Sequence, residues 1–200
     1  MRQKNGFSKA SQKLRTTMAH IDIKNDHPGI VGLFYFRPDT SKPLSELAEI
    51  LLRGPSSLSS GEREIIASYV SHQNNCHFCH TSHGASAAHH FGGDLSLIDD
   101  IKQELKQTDI SPKLRSLLNI AKKVQKSGRD VSEEHIREAK EAGADDREIH
   151  DTVLIAAAFC MFNRYVDGLG TWAPEENEDY DEMGKMLAHE GYMRERPGLD

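Results

Sequence analysis

No stretch of this sequence approaches the roughly 18 consecutive apolar residues of a membrane-spanning helix, so no membrane partner is expected. Cysteine is scarce: three residues in 200, unevenly placed, cannot build a disulfide scaffold. Positive charge is in deficit as well, with 25 Lys and Arg against 31 Asp and Glu and a formal charge of -6. With no basic stripe and no helix-turn-helix with basic flanks, nucleic acid is not expected as a partner. The N-terminal MRQKNGFSKASQK lacks the apolar centre of a secretory leader, so a cytoplasmic location with reduced thiols is expected. Aromatics are 6% and apolar residues 37%, yet a chain of this length still buries one substantial core.

What the chain does have is helical periodicity. Leu44, Leu47, Ala48, Ile50 and Leu51 recur on one face between Thr40 and Arg53, and Gly54-Pro55 stops the run. Ser60 or Gly61 opens the next helix, with Glu62 and Glu64 favourable at its positive end. After the polar stretch 71–75, Asn75 is expected to cap a helix running from Cys76 to Gly92-Gly93. Further helices are predicted over 94–105, from Ser111-Pro112 to Gly128, from Ser132 to near Gly143, and from Asp145 to Leu169. A short last helix is predicted around 181–189. The apolar run between Pro28 and Pro38 is assigned to helix because no partner strand exists elsewhere. The expected fold is all-α: a polar arm over 1–27, a helical domain over 28–175 and an acidic tail over 176–200.

One internal repeat emerges. A shift of 84 residues lays Arg63-Glu64-Ile65 on Arg147-Glu148-Ile149, Cys76 on Cys160, Phe78 on Phe162 and Gly84 on Gly168. The pattern suggests a duplicated helical hairpin. The second copy has Asn163 for Cys79 and Asp167 for His83, so only the first holds a thiol pair.

Six of the eleven histidines fall between positions 72 and 90, around Cys76-His77-Phe78-Cys79-His80. Cys76 and Cys79 share a helix face, so their sulfurs can reach disulfide distance. His83 lies one turn beyond Cys79, where it can take a thiol proton, and Glu64 returns to the site if the two helices pack antiparallel. Zinc is an open alternative, through Cys76, Cys79, His83 and His89 or His90. On one continuous helix, however, the last two would sit about 9 Å further along the axis. The helix start favours a thiolate at Cys76. Cys160 reads as a packing thiol, Glu148 as structural, and Arg164 with Asp167 as an ion pair.

Glu64, then Cys76-x-x-Cys79, then His83 resembles, in order and spacing, the E-x11-C-x2-C-x3-H signature of AhpD-like alkylhydroperoxidases of the carboxymuconolactone decarboxylase superfamily. Its peroxidase-related branch is the more similar, through Pro28-Gly29-Ile30, Leu47 to Pro55, Gly61 to Glu64, and Phe162-Asn163-Arg164 with Asp167 to Gly170. The resemblance covers about residues 28 to 172 and implies an all-α fold of helical hairpins, homo-oligomers and a cysteine peroxidase cycle without cofactor or metal. It assigns the attack on a hydroperoxide to Cys79, against the helix-start preference for Cys76. It assigns resolution to Cys76, a proton relay to Glu64 and His83, and reduction to an external dithiol of lipoyl- or thioredoxin-like type. Phe78 stands where well-studied members have a histidine, which makes His80 a candidate substitute. The alternatives are a zinc-binding or redox-sensing module and a lactone-decarboxylase-type enzyme, which would not need the thiol pair.

Overall fold

The structure, a computed structural model, describes residues 19–105 and 108–193. Nine helices follow one another among the described residues: α1 (Gly29–Phe36), α2 (Pro38–Arg53), α3 (Ser60–Gln73), α4 (His77–His90), α5 (Ser96–Glu104), α6 (Pro112–Lys126), α7 (Glu133–Glu141), α8 (Asp146–Gly168) and α9 (Asn177–Glu190). No strand occurs among them, so the fold is all-α as the periodicity implied. Local chemistry sets several boundaries. Ser59 and Glu62 form a capping box at the start of α3, and Asp145 and Glu148 form another at α8. Ser111 accepts from the Leu114 amide at the start of α6, with Pro112 in the first turn. Each such cap stabilises its helix by about 1 kcal/mol.

The core is built around α3, which is buried on every side from Arg63 to Ser71. α4, α6 and α8 pack directly on it, and α9 covers the opposite side of α4. Arg63 is buried with its charge satisfied, donating to the carbonyls of Leu51 (3.2 Å) and Gly54 (2.9 Å) at the end of α2. Arg53 does the same for α9, donating to the carbonyls of Leu187 and Ala188. α9 approaches α4 closely because Gly184 has no side chain: a Cβ there would lie 2.5 Å from Ala85 Cβ.

Three details depart from the sequence reading. The repeat at offset 84 is not a second hairpin, because α8 runs unbroken over 23 residues. The first copy turns at Asn74-Asn75, where Asn75 takes φ 58°; the second has Ala158-Phe159 at those positions, and an aromatic residue resists the left-handed region. Cys76, not Asn75, is the residue that precedes the first turn of α4. The acidic segment does expose Glu175, Glu176 and Glu178, but Tyr180, Met183, Leu187 and Ala188 bury the other face of α9 against the core. This helix is longer than expected because its apolar spacing continues from Tyr180 through Leu187. Of the polar arm, residues 1–18 lie outside the described residues. Its described end is held to the domain by the His20 amide donating to Leu169 O (2.7 Å) and by buried Ile23.

Candidate redox site

α3 and α4 form an antiparallel hairpin, and this is what brings Glu64 beside residues that follow it by more than a dozen positions. Glu64 is 1% exposed and faces His83, whose Nδ1 lies 2.7 Å from Glu64 Oε2. The other oxygen, Oε1, accepts a hydrogen bond from the Tyr192 hydroxyl at 2.5 Å, and that hydroxyl is also 3.3 Å from His83 Nδ1. A carboxylate only accepts, so Nδ1 carries the proton and Nε2 is the nitrogen left to act as base. The His83 ring is wedged edge-on against Phe159 of α8 and parallel to Tyr192, which fixes its plane. Burial and the adjacent Glu64 charge push the Tyr192 phenol well above its ordinary pKa, so it remains a donor.

Both cysteines are free and buried. Cys76 precedes the first turn of α4, its amide donating to Ser71 O at 3.0 Å, while Cys79 sits in that first turn. Cys76 stands three residues before Cys79, so both thiols belong to the start of α4. The contact with Cys79 and full burial hold the Cys76 thiol far above its usual range. That direction runs against the helix-start preference for a Cys76 thiolate.

A cavity of about 60 Å³ opens against Cys79 and His83, with Tyr192 as a further wall, and Cys76 does not line it. Its remaining surface is largely apolar, from Ile30 and Phe34 of α1, Leu44 of α2, and Phe159 and Phe162 of α8. Leu44 and Phe162 also form a wall of an outer groove of about 480 Å³, where Met161, Tyr165 and Arg37 lie.

Comparison with known proteins agrees with this architecture. The model of the carboxymuconolactone decarboxylase family matches residues 95–173. Two solved structures are similar over most of the chain. One is an uncharacterized peroxidase-related protein from Silicibacter sp. TM1040: 25% identity, TM-score 0.69, covering 77% of this chain and 78% of that one. The other is described as an alkylhydroperoxidase AhpD core, an uncharacterized peroxidase-related protein from Ralstonia eutropha JMP134: 27% identity, TM-score 0.70, covering 79% of this chain and 81% of that one. In sequence over its second half and in fold over most of its length, the chain is similar to the AhpD-like carboxymuconolactone decarboxylase proteins. No curated protein matches it.

The family match falls on α5 to α8 and so leaves out the Cys76-x-x-Cys79 hairpin. It covers instead the segment with Glu148, Cys160, Asn163 and Asp167 at the repeat positions of Glu64, Cys76, Cys79 and His83. That second set is dispersed. Glu148 caps α8 and pairs with Lys113 at 2.7 Å, as a structural residue would. Cys160 is half-buried and packs against the core, as a packing thiol would, with Asn74 Nδ2 (3.6 Å) and Gln125 O (3.8 Å) also near its sulfur. Arg164 does not meet Asp167 as expected; it donates to Cys160 O at 2.9 Å.

The other histidines lie elsewhere. His80 does not line the Cys79 cavity and so does not replace a relay histidine at Phe78. It packs edge-on with His72 and His77, and burial together with nearby Lys102 lowers its pKa to about 3. His89 meets Asp181 of α9 at 2.9 Å. Among the described residues no three His, Cys, Asp or Glu side chains converge as a metal site. No described helix is long and apolar enough to cross a membrane.

Two residues escaped the sequence reading. Tyr192 lies beyond the helical domain as predicted, and only Gly191 before it flagged a chain reversal. Gly191 adopts φ 80° and ψ -159°, a conformation open essentially to glycine, and this turns Tyr192 inward after α9. Tyr180 is 2% exposed and its hydroxyl has no hydrogen-bond partner. Its phenol is pushed up by burial and by the two cysteines.

Proposed function

We propose that the protein is a cysteine peroxidase that reduces organic hydroperoxides through a Cys76–Cys79 thiol/disulfide cycle. The observation that carries this reading is the division of the pair: Cys79 faces the small apolar cavity together with His83, and Cys76 lies behind it. His83 takes the Cys79 proton, with Glu64 and Tyr192 holding the ring and stabilising its charged form. The Cys79 thiolate attacks the outer peroxide oxygen, the O–O bond breaks, and the departing alkoxide takes the proton from His83. Cys79 is then a sulfenic acid, which Cys76 displaces to give the disulfide and water. An external dithiol, lipoyl- or thioredoxin-like, returns both thiols by exchange.

Apolar cavity walls and the adjoining groove favour a peroxide with a hydrocarbon body over hydrogen peroxide. The reading includes a reducing compartment such as the cytoplasm. It also includes a homo-oligomer, for which exposed Phe36, Ile50, Leu154 and Met161 supply apolar surface. The test is intact mass and thiol titration after one equivalent of cumene hydroperoxide. Loss of two thiols as a Cys76–Cys79 disulfide is expected, with sulfenic acid trapped on Cys79 in Cys76→Ser and no reaction in Cys79→Ser. Thiols untouched by peroxide would refute the reading.

A further inference from the structure

Cys79 is held by the first turn of α4, but Cys76 lies outside that helix in extended backbone (φ -83°, ψ 96°), so its place is set by whatever closes α3. α3 ends in a Schellman closure. The Cys76 amide donates to Ser71 O (3.0 Å) and the Asn75 amide to His72 O (2.9 Å), with Asn75 left-handed at φ 58°. Amide side chains from two other helices clamp this turn. Asn163 of α8 donates from Nδ2 to Ser71 Oγ (3.0 Å) and accepts at Oδ1 from Asn74 Nδ2 (2.8 Å). Gln125 of α6 donates to Asn74 Oδ1 (2.9 Å) and to Gln73 O (3.2 Å). Asn163 is 1% exposed and Ser71 0%, beside the apolar core residues Phe159, Phe162 and Val166 of α8. Polar groups buried that deeply stabilise little over aliphatic packing; kept fully bonded, they fix one geometry. We propose that Asn163 is a positioning residue which, through Ser71 and Asn74, holds Cys76 where it can close a disulfide with Cys79.

Cys76 and Cys79 occupy the cap position and the third residue of α4, the two places whose side chains reach toward each other in a capping box. That approach depends on the backbone of Cys76, and the clamp on α3 holds that backbone. In the resolving step the Cys76–Cys79 S–S bond forms as the Cys79 S–O bond breaks, and the Cys76 proton leaves with the hydroxide as water. The clamp takes no part in these bond changes. It raises the effective concentration of the Cys76 sulfur at Cys79, which speeds closure and makes the disulfide harder to reduce. Asn163 has no place in the cavity wall, so the reaction of Cys79 with an outside reagent does not depend on it. The shift of 84 residues aligns Asn163 with Cys79: where the first half carries the thiol, the second carries the amide that reaches back to the thiol's turn.

The sulfenic acid in this step rests on the peroxidase reading, but the placement of the two thiols does not, and peroxide-free assays separate the two. Equilibrated with dithiothreitol, Asn163→Ala is expected to shift the pair about tenfold toward the reduced form, a potential about 30 mV less negative. Ser71→Ala, which removes one of the two bonds that Asn163 makes, should shift it less. Ile120→Val, a buried change on α6 outside the clamp, should lower Tm and leave the potential in place. Reduced protein mixed with dithiodipyridine releases thiopyridone twice. The first release follows attack on the reagent; in the second, the Cys76–Cys79 bond forms as the bond to the pyridyl sulfur breaks, and the proton leaves with thiopyridone. In Asn163→Ala the second release should slow about tenfold while the first keeps its rate. An unchanged potential and second release in folded Asn163→Ala overturn the proposal, as does an equal shift in Ile120→Val. A shifted potential in a protein whose thiols ignore peroxide supports Asn163 and refutes the peroxidase reading alone.

Discussion

Replacing Tyr192 by Phe removes one oxygen from a site where both oxygens of a buried carboxylate have partners. Glu64 is 1% exposed, and its Oε1 takes its hydrogen bond from the Tyr192 hydroxyl while Oε2 faces His83. The variant keeps the ring that stacks beside His83 and lines the cavity, so packing is nearly preserved. The loss is one buried hydrogen bond to a carboxylate, worth about 2 kcal/mol. For a chain of this length that lowers Tm by about 4–8 °C. The same change should slow peroxide oxidation of Cys79 by about tenfold, because His83 then relies on one tethered oxygen rather than a braced pair. The decisive assay is a double-mutant cycle with Glu64→Gln, read by thermal unfolding and by stopped-flow oxidation. In the Glu64→Gln background, Tyr192→Phe should cost no more than about 0.5 kcal/mol, giving a coupling of more than 1 kcal/mol. Equal Tm losses in both backgrounds would show that Tyr192 acts only by packing, and the braced-carboxylate argument would fail.

Two further outcomes are expected. Gly184→Ala places a methyl 2.5 Å from Ala85 Cβ and should destabilise the protein by about 2 kcal/mol in urea unfolding, since α4 and α9 must separate to admit it. An unchanged midpoint would contradict the close approach of these helices. His80 titrates near 3 in the fold against an ordinary 6.5, so below about pH 6.5 the unfolded chain binds a proton that the folded one refuses. Its contribution is therefore fully present above that pH and is lost as pH falls toward 3. His80→Gln should lose less Tm than the parent between pH 7 and pH 4, and parallel curves would refute the burial argument.

Local pattern explains why so much of the fold was legible. Ser59, Ser111-Pro112 and Asp145 act through their own helices, so cap and helix can be read together from a few neighbouring residues. The offset-84 likeness was readable as a string but not as a shape. Whether such a segment bends depends on which residue must enter the left-handed region, and Asn75 can where Phe159 resists. Spacing pointed to Glu64, Cys79 and His83 because two helices joined by a short turn pack antiparallel and bring fixed registers together.

By itself, the sequence determined an all-helical chain with one thiol pair, a histidine one turn beyond it, and a carboxylate on the preceding helix. Only the tertiary structure decided which sulfur meets the cavity. That depends on walls far away in the sequence, such as Phe159 and Phe162 of α8, which no helical period encodes. It also brought in Tyr192, because α9 lies back across α4 and Gly191 turns the chain inward at its end. Helices are local and are written in short patterns. The electrostatics of a buried site belong to whatever packing places around it.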